Sequence, residues 1–255
     1  MLFFIHFITL SLIGQTTYFC DSILIKKIVA TYQNCTSYAD KSELIHYVGD
    51  TRTINYSKVA YTRDDTFLSQ LQSIDDRQRN KHFVIYKVGD AKPVFYQKWG
   101  TQASTLDTLS SIGIGIASIV PISYGTGSFI ARLLMPDSIS ASNPLTDYGV
   151  LEQLVEEVFN QNTCYKFKHT YDLQQDIKFI QKLESKKDAI LNRFAKKDFQ
   201  DEAFYWFRKK DLLLVKVEFY RKTTTYTSDY TWIIKPQMNA LLSQAVLQPS
   251  IRLKE

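Results

Sequence analysis

The residues able to do chemistry are few and scattered. The chain has four histidines (His6, His46, His82 and His169) and three cysteines (Cys20, Cys35 and Cys164). Beyond His6, no histidine has a second His, Cys or carboxylate at ligand spacing, so all three read as ordinary positions in or beside strands. Acid–base catalysis needs carboxylates that face one site. Glu156-Glu157 and Asp75-Asp76 are adjacent pairs, and sequence neighbours point apart on helix and strand alike. There is no G-x-S-x-G nucleophile turn and no phosphate loop with its lysine. The Gly113-Ile114-Gly115 and Gly125-Thr126-Gly127 pairs lack the third glycine and the acidic partner of a dinucleotide site. The reading is therefore of a non-enzyme, with no catalytic residue, no metal and no cofactor. Cys35 and Cys164 either pair in an oxidising compartment, leaving Cys20 odd, or sit as two buried thiols. Asn34-Cys35-Thr36 and Asn55-Tyr56-Ser57 match the glycosylation triplet, which matters only in a eukaryotic host.

Without catalytic groups, the weight falls on apolar surface. Of 255 residues, 14% are aromatic and only nine are glycine, which favours wide strand faces over a glycine-rich nucleotide fold. The net charge of +5 is spread, with Lys and Arg mostly alternating with Asp or Glu. That is a solvated surface rather than a nucleic-acid patch, and it suits contact with an anionic membrane surface. Residues 1–20 read as a signal segment. Leu2–Gly14 has the length of a secretory apolar run and is short for a bilayer span. Export to the periplasm or cell envelope is expected. Lipid anchoring through Cys20 is the lesser alternative, because Phe19 replaces the small residue such a site needs.

Residues 21–255 read as one domain. Ser22–Gln33 carries Ile25, Ile28, Val29 and Tyr32 on one helical face and should stop at a left-handed Asn34. Two hairpins follow, cornered at Gly49-Asp50 and Gly89-Asp90, with a weaker strand and a charged loop between them. Leu151, Leu154, Val155 and Val158 suggest a short helix. Thr163–Tyr171 reads as a strand, and about 173–201 as a charged helical insertion. The last third is again strand, with a hairpin cornered at Lys209-Lys210-Asp211. Val215, Val217 and Phe219 are expected to share one face. The absence of β–α alternation excludes a parallel doubly wound sheet.

One stretch stands apart. Between Asp107 and Arg132 there is no charge. Pro121 would cut a membrane span into pieces that are too short. Leu106, Leu109, Ile112, Ile116 and Ile119 recur at helical spacing, as do Phe129, Ile130, Leu133 and Leu134 beyond a corner at Pro121–Gly127. Two lid helices over 105–136 are therefore expected.

Thr31–Ile45, Phe204–Phe219 and the order from Ala131–Asp137 to Cys164-Tyr165 together resemble predicted bacterial periplasmic proteins related to the outer-membrane lipoprotein carriers of the Lol type. The resemblance spans most of 22–240. It implies an α+β fold: a strongly curved antiparallel sheet, an incomplete β-barrel, with helices as a lid on the concave face. It also implies a hydrophobic cup for a lipid, an acyl chain or a lipidated protein. The lid residues would be Leu109, Ile112, Ile116, Ile119, Phe129, Leu133 and Leu134. The cup candidates are Phe204, Trp206, Val215, Val217 and Trp232, with either sheet face available as the inner one. A monomeric carrier is the leading reading. The second is an envelope interaction or sensor module that grips a protein with the same half-barrel, and the third is an envelope-lipid hydrolase marked by a hydrogen-bonded nucleophile–base pair.

Overall fold

The computed structural model describes residues 18–19, 22–63, 66–75, 80–112, 126–135, 144–145, 149–171, 200–222 and 227–250. Much of the expected signal segment, Cys20, Ile116, Ile119 and nearly all of the expected charged insertion lie outside these. Tyr18–Phe19 (β1) is followed by the helix α1 (Ser22–Gln33). A meander then runs through β2 (Ser37–Val48), β3 (Thr51–Thr62), β4 (Thr66–Asp75), β5 (Asn80–Val88), β6 (Val94–Trp99) and β7 (Thr105–Thr108). After α2 (Thr126–Leu134) come β8 (Gly149–Gln153), β9 (Glu157–Phe159) and β10 (Asn162–Tyr171). Next are β11 (Gln200–Arg208), β12 (Leu214–Lys222), β13 (Thr227–Met238) and the short α3 (Gln244–Leu247).

All described strands join one antiparallel sheet in the order β1-β8-β10-β11-β12-β13-β2-β3-β4-β5-β6-β7, with β9 alongside β10. The ends do not meet, so the sheet is an open half-barrel. It consists of two meanders sewn together by β13 and β2, in register from Ser228↔Val48 to Met238↔Tyr38.

The local reasons are legible. β2 and β3 are joined by Gly49-Asp50 alone, and Gly49 has the positive φ (55°) required at the first position of a type II′ turn. α1 buries Leu24, Ile25, Ile28 and Tyr32 and exposes Lys26 and Lys27. It ends as expected after Gln33, but Asn34 is not left-handed. Instead Arg63 reaches back from the end of the β2–β3 hairpin, its guanidinium donating to the carbonyls of Gln33 and Cys35. The Gln33 carbonyl is one that a helix end leaves unpaired.

Three expectations are corrected. The segment 149–159 holds the two strands β8 and β9, not a helix. Asn160 and Gln161, both with positive φ (46° and 62°), close a two-residue hairpin from β9 into β10, and Val155 and Val158 stay exposed. Leu106 lies in edge strand β7 and is exposed, so the first lid helix does not begin there. Val215 and Val217 face opposite ways: the pairing of β11 with β12 slips between Trp206↔Lys216 and Phe207↔Leu214, leaving Val215 as an extra residue. A bulge of this kind inverts the side-chain alternation beyond it.

The main core lies between one sheet face and the two helices α1 and α2. On the other face α3 covers Ala39, Ala60, Leu68, Val84 and Tyr96 with Leu247. Among the described residues, no helix is long and apolar enough to cross a membrane.

Candidate functional site

Directly paired residues in an antiparallel sheet point to the same face, so the register reads out what each face presents. One row on the helix-covered face runs Phe167–Tyr205–Val217–Trp232–Leu44–Asn55–Ser73–Lys81–Trp99, from β10 to β6. A second runs His169–Ala203–Phe219–Tyr230–His46–Thr53. A third runs Ile234–Ser42–Ser57–Leu71–Phe83, and a fourth Asp40–Val59–Ser69–Ile85–Phe95. The face therefore changes character along the sheet. β10–β13 form an aromatic wall, with Phe219 and Tyr230 stacked at 5.0 Å. β2–β4 interleave Leu44, Val59 and Leu71 with the buried polar side chains of Asp40, Ser42, His46, Asn55, Ser69 and Ser73. At the β5–β6 end, Lys81 Nζ lies 4.7 Å over the Trp99 ring, which is 41% exposed.

Several of the buried polar groups find partners. Ser42 and Ser57 share a hydrogen bond of 2.8 Å. Tyr32, from α1, accepts one from the Leu214 amide at 2.9 Å. Others do not: both amide atoms of Asn55 (2% exposed), the Trp232 Nε1–H (1% exposed) and both oxygens of Asp40 have no hydrogen-bond partner. Burial drives the Asp40 carboxyl up to about 7. The Tyr38 hydroxyl and the Val59 amide beside it pull the other way, without closing a hydrogen bond of normal geometry. Burial also pushes the Tyr38 and Tyr32 hydroxyls up.

His46 Nε2 lies 2.8 Å from Ser228 Oγ, the kind of Ser–His pair a hydrolase would need. Burial pulls the His46 imidazole down to about 4, and His169 likewise. A base that weak gathers little of the serine proton at neutral pH. Ser228 (2% exposed) also sits inside a regular strand rather than on an exposed turn. Among the described residues no group of three His, Cys, Asp or Glu is placed to hold a metal.

The expected site residues separate into two sets. Val217, Trp232, Phe129, Leu133, Leu134 and Ile112 lie in the main core, with Leu109 packed against it. Phe129 stacks on Tyr205 at 5.1 Å, which lays α2 across the aromatic wall. Phe204, Trp206 and Val215 are on the opposite face and are corrected accordingly. There Lys166 and Lys216 stand over the Trp206 ring at 4.8 and 4.3 Å, and each is paired to a glutamate, Glu157 or Glu218. Those aromatics are platforms for ion-paired lysines, outside the helix-covered core. Of the two readings of Cys35 and Cys164, the buried thiols are seen and the pairing is not: both are free and buried, Cys35 in the main core and Cys164 on the far face with Trp206. Asn34 is exposed, whereas Asn55 is sealed in.

No family model matches the chain, and no curated protein does. Solved structures do. The lipoprotein LppX of Mycobacterium tuberculosis is 11% identical, with 88% of this chain and 98% of that one covered and a TM-score of 0.45. LprF of Mycobacterium bovis is 10% identical, covering 87% and 93%, with a TM-score of 0.42. A LolA superfamily protein of Nitrosomonas europaea is 10% identical, covering 89% and 96%, with a TM-score of 0.29. At such values the likeness says nothing of what this chain binds. The architecture expected from the Lol-type resemblance, an open antiparallel sheet with helices over one face, is the one seen.

Proposed function

We propose that this chain is a binding or carrier protein of the cell envelope that takes an acyl chain, a lipid or a lipidated polypeptide onto the helix-covered face of its sheet. The observation that carries the reading is the in-register passage from an aromatic wall (Tyr205, Val217, Trp232) to the buried Asn55, neither of whose amide atoms has a partner. A core that only had to be stable gains nothing from stranded polar atoms, each costing about 1–3 kcal/mol. An amphipathic ligand has use for both halves. Its chain gains about 0.8 kcal/mol for each CH2 removed from water, so an apolar wall suffices and no catalytic group is required. The ligand would take the place α2 now fills with Phe129, Leu133 and Leu134. Export follows the apolar run at Leu2–Gly14.

The test is direct. Protein purified without detergent is extracted with solvent and the extract analysed by mass spectrometry. The delipidated protein is then titrated with a fluorescent polyene fatty acid. Co-purifying lipid or saturable binding is expected. The absence of both would sink the proposal, and a stable crosslinked complex with a protein, without lipid, would favour the interaction-module reading instead. A fluorophosphonate probe is expected to leave Ser228 unlabelled.

A further inference from the structure

Resting on that reading, we infer that Asn55 and Trp232 form a hydrogen-bonding reader for the polar linkage of the bound molecule, selecting an acyl chain whose carbonyl is accompanied by an N–H or O–H. Both residues lie on the helix-covered face, on the two strands that flank β2. They belong to one row, Trp232–Leu44–Asn55, with Leu44 between them. Neighbouring strands stand about 4.8 Å apart, so their backbones are roughly 10 Å from one another across that leucine. Asn55 is 2% exposed with Nδ2 and Oδ1 both unpartnered, and Trp232 is 1% exposed with Nε1 unpartnered.

The chemistry follows from the inventory of free atoms. Asn55 Nδ2 donates, Asn55 Oδ1 accepts, and Trp232 Nε1 only donates. A hydrocarbon satisfies none of them. A simple ester, which only accepts, leaves Oδ1 stranded. A fatty amide or a monoacylglycerol answers both atoms of Asn55 at once, and a second acceptor on the ligand answers Trp232. A free carboxylate has no N–H or O–H for Oδ1 and would seek the cation of the row, Lys81, two strands beyond Asn55 at the Trp99 end. Sites that leave buried groups unpaired when the wrong ligand binds discriminate strongly, because the penalty falls on the protein.

The experiment uses the full chain and three probes with the same hydrocarbon: oleamide, methyl oleate and oleate, each competed against the fluorescent fatty acid. Oleamide is expected to bind about tenfold tighter than methyl oleate, the ratio that about 1.4 kcal/mol of recovered hydrogen bonding gives. In Asn55→Leu the ratio of oleamide to methyl oleate affinity should fall to near unity. Trp232→Phe puts a smaller ring without an N–H in place of the indole; tested with monoolein, whose further oxygens supply the second acceptor, it should cost more affinity than it costs with oleamide. Equal affinity for oleamide and methyl oleate in the native chain would overturn the inference while leaving lipid binding intact. So would tighter binding of oleate that Lys81→Ala abolishes. If no probe binds at all, the lipid reading itself fails. Should Asn55→Leu misfold, the comparison of the three probes in the native chain still decides the matter.

Discussion

Tyr32 ties α1 to the start of β12 through one atom, its hydroxyl accepting the Leu214 amide at 2.9 Å where both residues are fully buried. Tyr32→Phe leaves that amide stranded. A loss of about 1–3 kcal/mol is expected in urea unfolding, and a loss under about 0.5 kcal/mol, the usual size of an uninvolved substitution, would show that the bond matters little. Asp40 is a charge-state problem of the opposite kind. Its carboxyl ordinarily titrates near 3.8 and is held up to about 7 by burial, so between those values the folded chain keeps a proton that the unfolded chain has released. Its contribution is full below the unfolded value and is lost as pH rises through about 7. His46 and His169, ordinarily near 6.5 and held down to about 4, contribute stability present above the unfolded value and lost as pH falls toward 4. Asp40→Asn should therefore raise the urea midpoint more at pH 8 than at pH 5, and an equal gain at both would contradict the buried-carboxyl account. None of these roles was legible in the sequence. In β3 the buried face is Asn55, Ser57 and Val59 while Ile54 and Tyr56 face away, which inverts the polar-out alternation that sequence reading assumes. Asn55 therefore read as part of a glycosylation triplet.

At the scale of elements, strands with strong local grammar were readable and those made by tertiary pairing were not. Gly49-Asp50 and the β-branched runs around it specify a hairpin wherever they occur. Leu151, Leu154, Val155 and Val158 have the spacing of a helix face, but β10 offers β8 and β9 a full set of backbone partners, and that pairing wins over the periodicity. The bulge at Val215 leaves no mark in composition, so the cup candidates could not be sorted by face. α3 shows how a weak element is held. With only Gln244–Leu247 it cannot persist alone. Lys58, from the convex side of β3, donates to the carbonyls of Ala245 at 3.2 Å and Gln248 at 2.8 Å at the helix end. Burial against this end and the neighbouring Lys41 both hold its ammonium below the usual lysine range. Lys58→Met keeps the apolar stem and removes the donor. Faster proteolytic trimming after residue 240 is expected, with lipid binding unchanged because α3 lies on the other face. Unaltered trimming would mean that Leu247 and its contacts suffice to hold the segment.

At the scale of the whole molecule the decisive feature is the seam. β13 and β2 are distant in sequence, and their long pairing unites the aromatic meander with the polar one. Neither half shows this in its own sequence, because the row Tyr205–Val217–Trp232–Leu44–Asn55–Ser73 exists only once the two are in register. A ligand held by the aromatic wall alone would touch only the C-terminal meander. A ligand read by Asn55 must cross the seam. Hydrogen exchange separates the two cases, since bound ligand slows the local openings of the strands it contacts. Saturating oleamide should slow amides of β3 and β4 together with those of β11–β13, and methyl oleate should protect β11–β13 more than β3. Protection confined to β10–β13 with both ligands would place the ligand wholly on the aromatic half and remove Asn55 from its recognition. Edge strand β7, its residues all exposed and its outer side unpaired in the sheet order, should exchange fast with or without ligand and serves as the internal reference.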